Sequence, residues 1–173
     1  MGRTIVESSG GGGGIRGWEL VVGGWGADVE QKRARRNRDG IMVLVLMSDA
    51  ITRGIRVHVE SEYVADRSDP RANAYFFAYH VRITNSGRET VQLVSREWII
   101  TDGEGRVETV KGPGVVGEFP ILRPGDSHEY TSFCPLTTSF GSMHGTYTMR
   151  TRTGEMFDAV IAPFTLAMPG VVN

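Results

Sequence analysis

The sequence has one cysteine, Cys134. One thiol cannot close an internal disulfide or build a cysteine-based zinc site, so neither organises the fold. Nothing in such a chain calls for oxidising export, and the expected compartment is the cytoplasm. Long hydrophobic runs are also missing. The longest spans residues 41–47, far short of the roughly 20 apolar residues of a membrane helix. Residues 1–16 show no apolar core of a secretion signal. No charge of one sign dominates: Lys and Arg total 19, Asp and Glu 20, for a net charge of −1. A specific nucleic-acid binder needs a basic excess to neutralise phosphates, so that class is not expected. Helical periodicity is weak too, since no 12-residue window shows a convincing apolar stripe at i, i+3, i+4 and i+7.

What is present falls into two parts that meet near Met47. Residues 1–46 hold 11 of the 23 glycines, with five in a row at residues 10–14. Such a run buries nothing and costs much entropy to order. Residues 31–38 (QKRARRNR) place five positive charges in eight positions. With neither a period of 3.6 nor one of 2 through residues 1–40, this part reads as a disordered extension. Met47-Ser48-Asp49 reads as a natural start. On that reading, residues 1–46 come from an early start-codon assignment and residues 47–173 form the domain.

From residue 51 the period is two. Ile55, Val57 and Val59 alternate with Arg56, His58 and Glu60, the pattern of a half-buried strand. Tyr75, Phe77, Tyr79, Val81 and Ile83 alternate up to the turn Asn85-Ser86-Gly87. Val91 and Leu93 share one parity while Trp98 and Ile100 share the other, which predicts a β-bulge over residues 95–97. Short strands follow at residues 107–110, 127–134, 142–152 and 155–166, separated by turns at 102–105, 122–126 and 153–154. Seven or eight short strands predict an antiparallel β-sandwich, with a closed barrel as the alternative. Tyr75, Phe77, Tyr79, Trp98, Tyr130, Tyr147, Phe157 and Phe164 fall mostly at inward parity and are assigned to its core.

Few groups offer chemistry. Residues 112–117 (GPGVVG) match G-x-G-x-x-G. A dinucleotide site needs a helix after that motif, yet Glu118-Phe119-Pro120 leads straight to another turn, so a Rossmann site is excluded. A glycine loop can still gather backbone N–H groups into an anion-binding nest. Lys111, Gly112, Gly114 and Gly117 are its candidate residues, with Arg106 or Arg123 expected nearby. His58, Glu60 and Glu62 share the polar face of one strand and form a candidate divalent-metal set. No histidine pair has ligand spacing, no G-x-S-x-G elbow exists, and Cys134 between Phe133 and Pro135 reads as a buried inert thiol. Neither an enzyme nor a cofactor is expected.

Residues 52–169 resemble the ApaG family. The resemblance is carried by VHVESEY at 57–63, Phe77-Ala78-Tyr79, ITNSG at 83–87, Val91-Gln92-Leu93 with Arg96-Glu97-Trp98, GPGVVG at 112–117, LRPG at 122–125, Tyr130-Thr131-Ser132 and GSMHGTY at 141–147. It implies a fibronectin type III-like sandwich without established enzymatic activity. It also implies a genetic link to cobalt tolerance and magnesium efflux, and a glycine loop proposed to bind pyrophosphate. Eukaryotic relatives of the family use the domain in protein–protein contexts. Where the family often has Glu or Gln at the motif's second position, this chain has Pro113, which removes one N–H donor. Two functions follow as expectations. One is an interaction module for a protein partner, with Arg96 and Trp98 beside the bulge as contacts. The other is a binder of phosphate-bearing ligands or divalent cations at the glycine loop.

Overall fold

The structure is a computed structural model and describes residues 31–36, 40 and 42–171. The glycine run at residues 10–14 and the rest of residues 1–30 lie outside the described residues. The described residues form ten strands: β1 (Gln31–Arg36), β2 (Met42–Thr52), β3 (Ile55–Tyr63), β4 (Tyr75–Asn85), β5 (Val91–Asp102), β6 (Val107–Pro113), β7 (Ile121–Leu122), β8 (Ser127–Leu136), β9 (Phe140–Thr151) and β10 (Met156–Ala167). One sheet runs β1-β2-β3-β4-β8. The other runs β10-β9-β5-β6, with β7 also paired to β5. Every pairing is antiparallel. The sheets share no strand, so the architecture is a sandwich and not a closed barrel.

The strand count exceeds the expectation of seven or eight by β1, β2 and β7. The break expected at Met47 falls inside β2. Just before it, Val45 and Leu46 are both buried although they point to opposite faces. A strand covered on both faces reads as a continuous apolar run and gives no alternation. β1 carries four cations in six residues, which masked its pattern, and β7 has only two residues.

Elsewhere the alternation is obeyed. Val57 and Val59 of β3 pair with Ile83 and Val81 of β4, and all four face inward. The second sheet answers with Leu93, Trp98, Met143, Tyr147, Met149 and Phe164, all buried. Trp98 sits at the centre, edge-on to Tyr79, Tyr147 and Phe164 at ring separations of 5.3, 6.1 and 5.9 Å. This is the packing preferred by aromatic quadrupoles. The β5 bulge lies between Leu93 and Ser95, slightly earlier than expected, and it lets Leu93 and Trp98 both face the core. Along the other edge, side chains stitch β10 to the first sheet. Ser48 Oγ donates to Ala162 O, Ser61 Oγ donates to Thr165 O, and Thr52 Oγ1 accepts from Val160 N.

Candidate functional site

The glycine motif begins inside β6, which runs to Pro113 and not only to residue 110. Gly112 is therefore a ladder residue, paired with Arg96 of β5. A side chain at Gly112 would crowd the Arg96 guanidinium, since its Cβ would lie 3.1 Å from Nη1. That guanidinium donates to Pro113 O at 3.1 Å and Gly114 O at 2.9 Å. Beyond β6 the chain makes a tight two-residue turn. Val115 N donates to Glu118 O at 2.9 Å and Glu118 N returns a bond to Val115 O at 2.8 Å. Val116 and Gly117 at the tip have φ of 52° and 74°. Positive φ at both central residues matches a type I′ turn, for which a β-branched valine is an unfavourable choice. Gly114 has φ of 55° and donates to Val94 O, the carbonyl at the β5 bulge, at 2.8 Å. Val115 is wholly buried and plugs the end of the sandwich.

The motif's polar groups are thus mostly turned inward. Gly114 and Val115 spend their N–H groups within the fold, and Arg96 spends its charge on carbonyls. Among the described residues, Val116 N and Gly117 N make no backbone hydrogen bond. Lys111 projects from the other face of β6 and pairs with Glu97 at 2.8 Å, away from Arg96. Arg106 does not approach the loop. It binds Asp102 at the far end of the β5–β6 hairpin, with Nε 2.8 Å from Oδ2. The loop instead presents Phe119 and Ile121, 48% and 61% exposed. Phe119 O accepts from the Gln92 amide and Pro120 O from Leu93 N. These two apolar residues were not among the sequence candidates. The signal available was F-P-I directly after a glycine turn.

Trp98, expected both as a core residue and as a contact, is fully buried. The β5 bulge sets the phase that turns Trp98 to the core. Arg96, the other expected contact, is partly buried and engaged with the loop.

The histidine–carboxylate set lies on the outer face of the first sheet. His58 Nδ1 is 3.2 Å from Asp49 Oδ2 and its Nε2 is 3.5 Å from Glu60 Oε1. Asp49 also accepts from Arg56 Nε at 2.9 Å. Glu62 lies two residues beyond Glu60 along the same face. With Glu60, Val45, Ser61, Ala78, His80 and Thr131 it lines a shallow pocket of about 230 Å³. Glu60 holds the His58 imidazolium and raises its pKa above the usual 6.5; burial opposes this and Asp49 reinforces it. Burial pushes the Asp49 carboxyl up, but Arg56 and His58 outweigh it and leave the group below its ordinary 3.8. An imidazole and a guanidinium thus lie against carboxylates at the candidate metal set. Among the described residues, no three His, Cys, Asp or Glu side chains are grouped to hold a metal ion. Cys134 is a buried thiol outside any disulfide.

A family model described as the ApaG domain matches residues 65–151. The Protein ApaG of Mesorhizobium japonicum is 56% identical over 124 residues, covering 72% of this chain and 95% of that relative. This chain belongs to the ApaG family. The Protein ApaG of Anaeromyxobacter dehalogenans strain 2CP-C is 52% identical over 127 residues, which cover 73% of this chain and 100% of the relative. A crystal structure of the ApaA protein from Bordetella pertussis superposes with a TM-score of 0.66 at 52% identity, covering 67% of this chain and 94% of that one. ApaG relatives are thus matched over nearly their whole length, and the remainder of this chain is additional to them. No helix among the described residues is long and apolar enough to cross a membrane.

Proposed function

We propose that this ApaG domain is a non-enzymatic protein–protein interaction module, acting in the cytoplasm. One observation carries the reading. The glycine loop turns most of its polar groups inward and holds Phe119 and Ile121 out in water. Apolar side chains beside a rigid, strained turn suit a surface that a partner covers. The link to cobalt tolerance and magnesium efflux, implied by the family resemblance, then runs through that partner. The test is capture of proteins from the native host on the immobilised full chain. Phe119→Ser with Ile121→Ser should abolish capture of a specific band that Lys111→Ala leaves in place. Capture that survives the double substitution counts against the reading.

A second reading keeps the loop as an anion site for phosphate or pyrophosphate groups, with or without a divalent cation. The uncommitted N–H groups of Val116 and Gly117 favour it. Titration with pyrophosphate and ATP, with and without Mg²⁺ or Co²⁺, should then shift those two amides. No shift at millimolar ligand leaves the interaction module alone.

A further inference from the structure

The basic segment at residues 31–36 forms a strand on the sandwich. Gln31–Arg36 pairs antiparallel with β2, from Gln31 opposite Met47 to Arg36 opposite Met42. Among the described residues β1 is the outermost strand of its sheet, and its ladder there is with β2 alone. Ala34 is its sole apolar residue, beside Lys32, Arg33, Arg35 and Arg36. Its described attachment to the sandwich runs through the backbone hydrogen bonds of that ladder. β2 is different. It is held by β3 from Leu46 to Thr52, and by the side chains that reach β10. Opening β1 exposes the β2 edge and leaves the core packing intact, which is local unfolding from the low end of the stability range.

The face beside that edge is acidic. Glu60 of β3 pairs with Met47, the same residue that pairs with Gln31. Continuing that register brings Glu62 into line with Val45 and Arg33. Glu60 and Glu62 line the shallow pocket, with Val45 at its β2 side. Neighbouring strands lie roughly 4.8 Å apart, so a long cationic side chain on a strand at the β2 edge comes within reach of this pocket. We propose that the β2 edge is a docking edge for an extended segment rich in Arg and Lys, supplied by a partner protein, and that β1 occupies it in cis. The partner adds a strand by main-chain hydrogen bonds, and the carboxylates select its charge. The cis strand lowers the apparent affinity by the fraction of time the edge is open. This proposal rests on the interaction-module reading and gives it a second surface and a means of regulation.

The test uses the full chain and a fluorescent synthetic peptide of residues 29–38 (VEQKRARRNR). Successive N–H groups in a strand point to opposite sides, so Arg33→Pro with Ala34→Pro removes a donor to β2 whichever one it is. The peptide should bind this variant at least about tenfold more tightly than the unmodified chain. The amides of residues 42–47 should shift on binding. A peptide with Glu at its five cationic positions should not bind, and Glu60→Gln with Glu62→Gln in the same variant should weaken the basic peptide. Equal binding to both chains, equal binding of both peptides, or shifts confined to other strands would overturn the proposal. Protected amides in β4 and β9 report that the variant is folded. A second measurement needs no variant: at millimolar basic peptide, mass action displaces β1 from the unmodified chain, and unmoved 42–47 amides would also overturn the idea. Failure here with host proteins still captured through Phe119 and Ile121 removes the edge and leaves the module.

Discussion

At Gly114 and Gly117, one motif uses the same residue type for two different reasons. Both have positive φ, where an added Cβ costs about 1–2 kcal/mol of backbone strain. At Gly117 nothing lies within 4 Å of the new atom. At Gly114 it would sit 2.2 Å from Glu118 O, a backbone atom of the turn itself. The turn must open to admit it, which gives up the Val115–Glu118 bonds and loosens the buried Val115 plug. Urea unfolding should therefore show Gly117→Ala destabilised by about 1 kcal/mol. Gly114→Ala should lose roughly 2–4 kcal/mol, from strain plus a broken bonded turn. Equal losses would mean that Gly114 serves only conformational freedom. The spacing of G-x-G-x-x-G resembles that of a phosphate loop, but in this fold the first glycine makes room for Arg96 and the second for a main-chain carbonyl.

Among the elements, the β2–β3 hairpin contributes a pH dependence of its own. His58 has its pKa raised by Glu60 first and by Asp49 as well, against the pull of burial. A raised histidine stabilises the fold fully below its unfolded value, near 6.5, and the contribution fades as pH rises through the higher folded value. His58→Gln should therefore be less stable than the unmodified chain at pH 5–6, with the gap closing above neutrality. Thermal unfolding of the two proteins across that range checks it, and a gap independent of pH would refute the ion-pair assignment. Asp49 was invisible to sequence reasoning because it lies on β2, across the ladder from His58. Period two reveals which residues share a face of one strand. It does not reveal which residue of another strand stands opposite. For the same reason β3, β4, β8, β9 and β10 were legible. β2 was not, because Val45 and Leu46 are covered on both faces. The contact between Arg96 and the loop carbonyls depends on cross-strand register and could not be read from spacing either.

In the whole molecule, Trp98 joins the two sheets. It is fully buried and meets Tyr79 of β4, Tyr147 of β9 and Phe164 of β10, so both layers contact one side chain. Truncating such a residue costs about 3–5 kcal/mol through lost transfer energy and an unfilled cavity. A domain of this size has about 5–15 kcal/mol in all, so Trp98→Ala should sit near the edge of folding. Trp98→Phe keeps most of the aromatic volume and should lose less. The same pair of variants separates the two roles the sequence left open for this residue. If Trp98 only packs, Trp98→Phe captures the host partner as well as the unmodified chain does, wherever it remains folded. Phe119→Ser with Ile121→Ser should show the converse, with stability changed by no more than about 0.5 kcal/mol per site and capture lost. Urea midpoints measured beside the capture assay give both axes at once. A Trp98→Phe chain that is folded yet captures nothing would return Trp98 to the binding surface, and the loop's exposed pair would then be incidental.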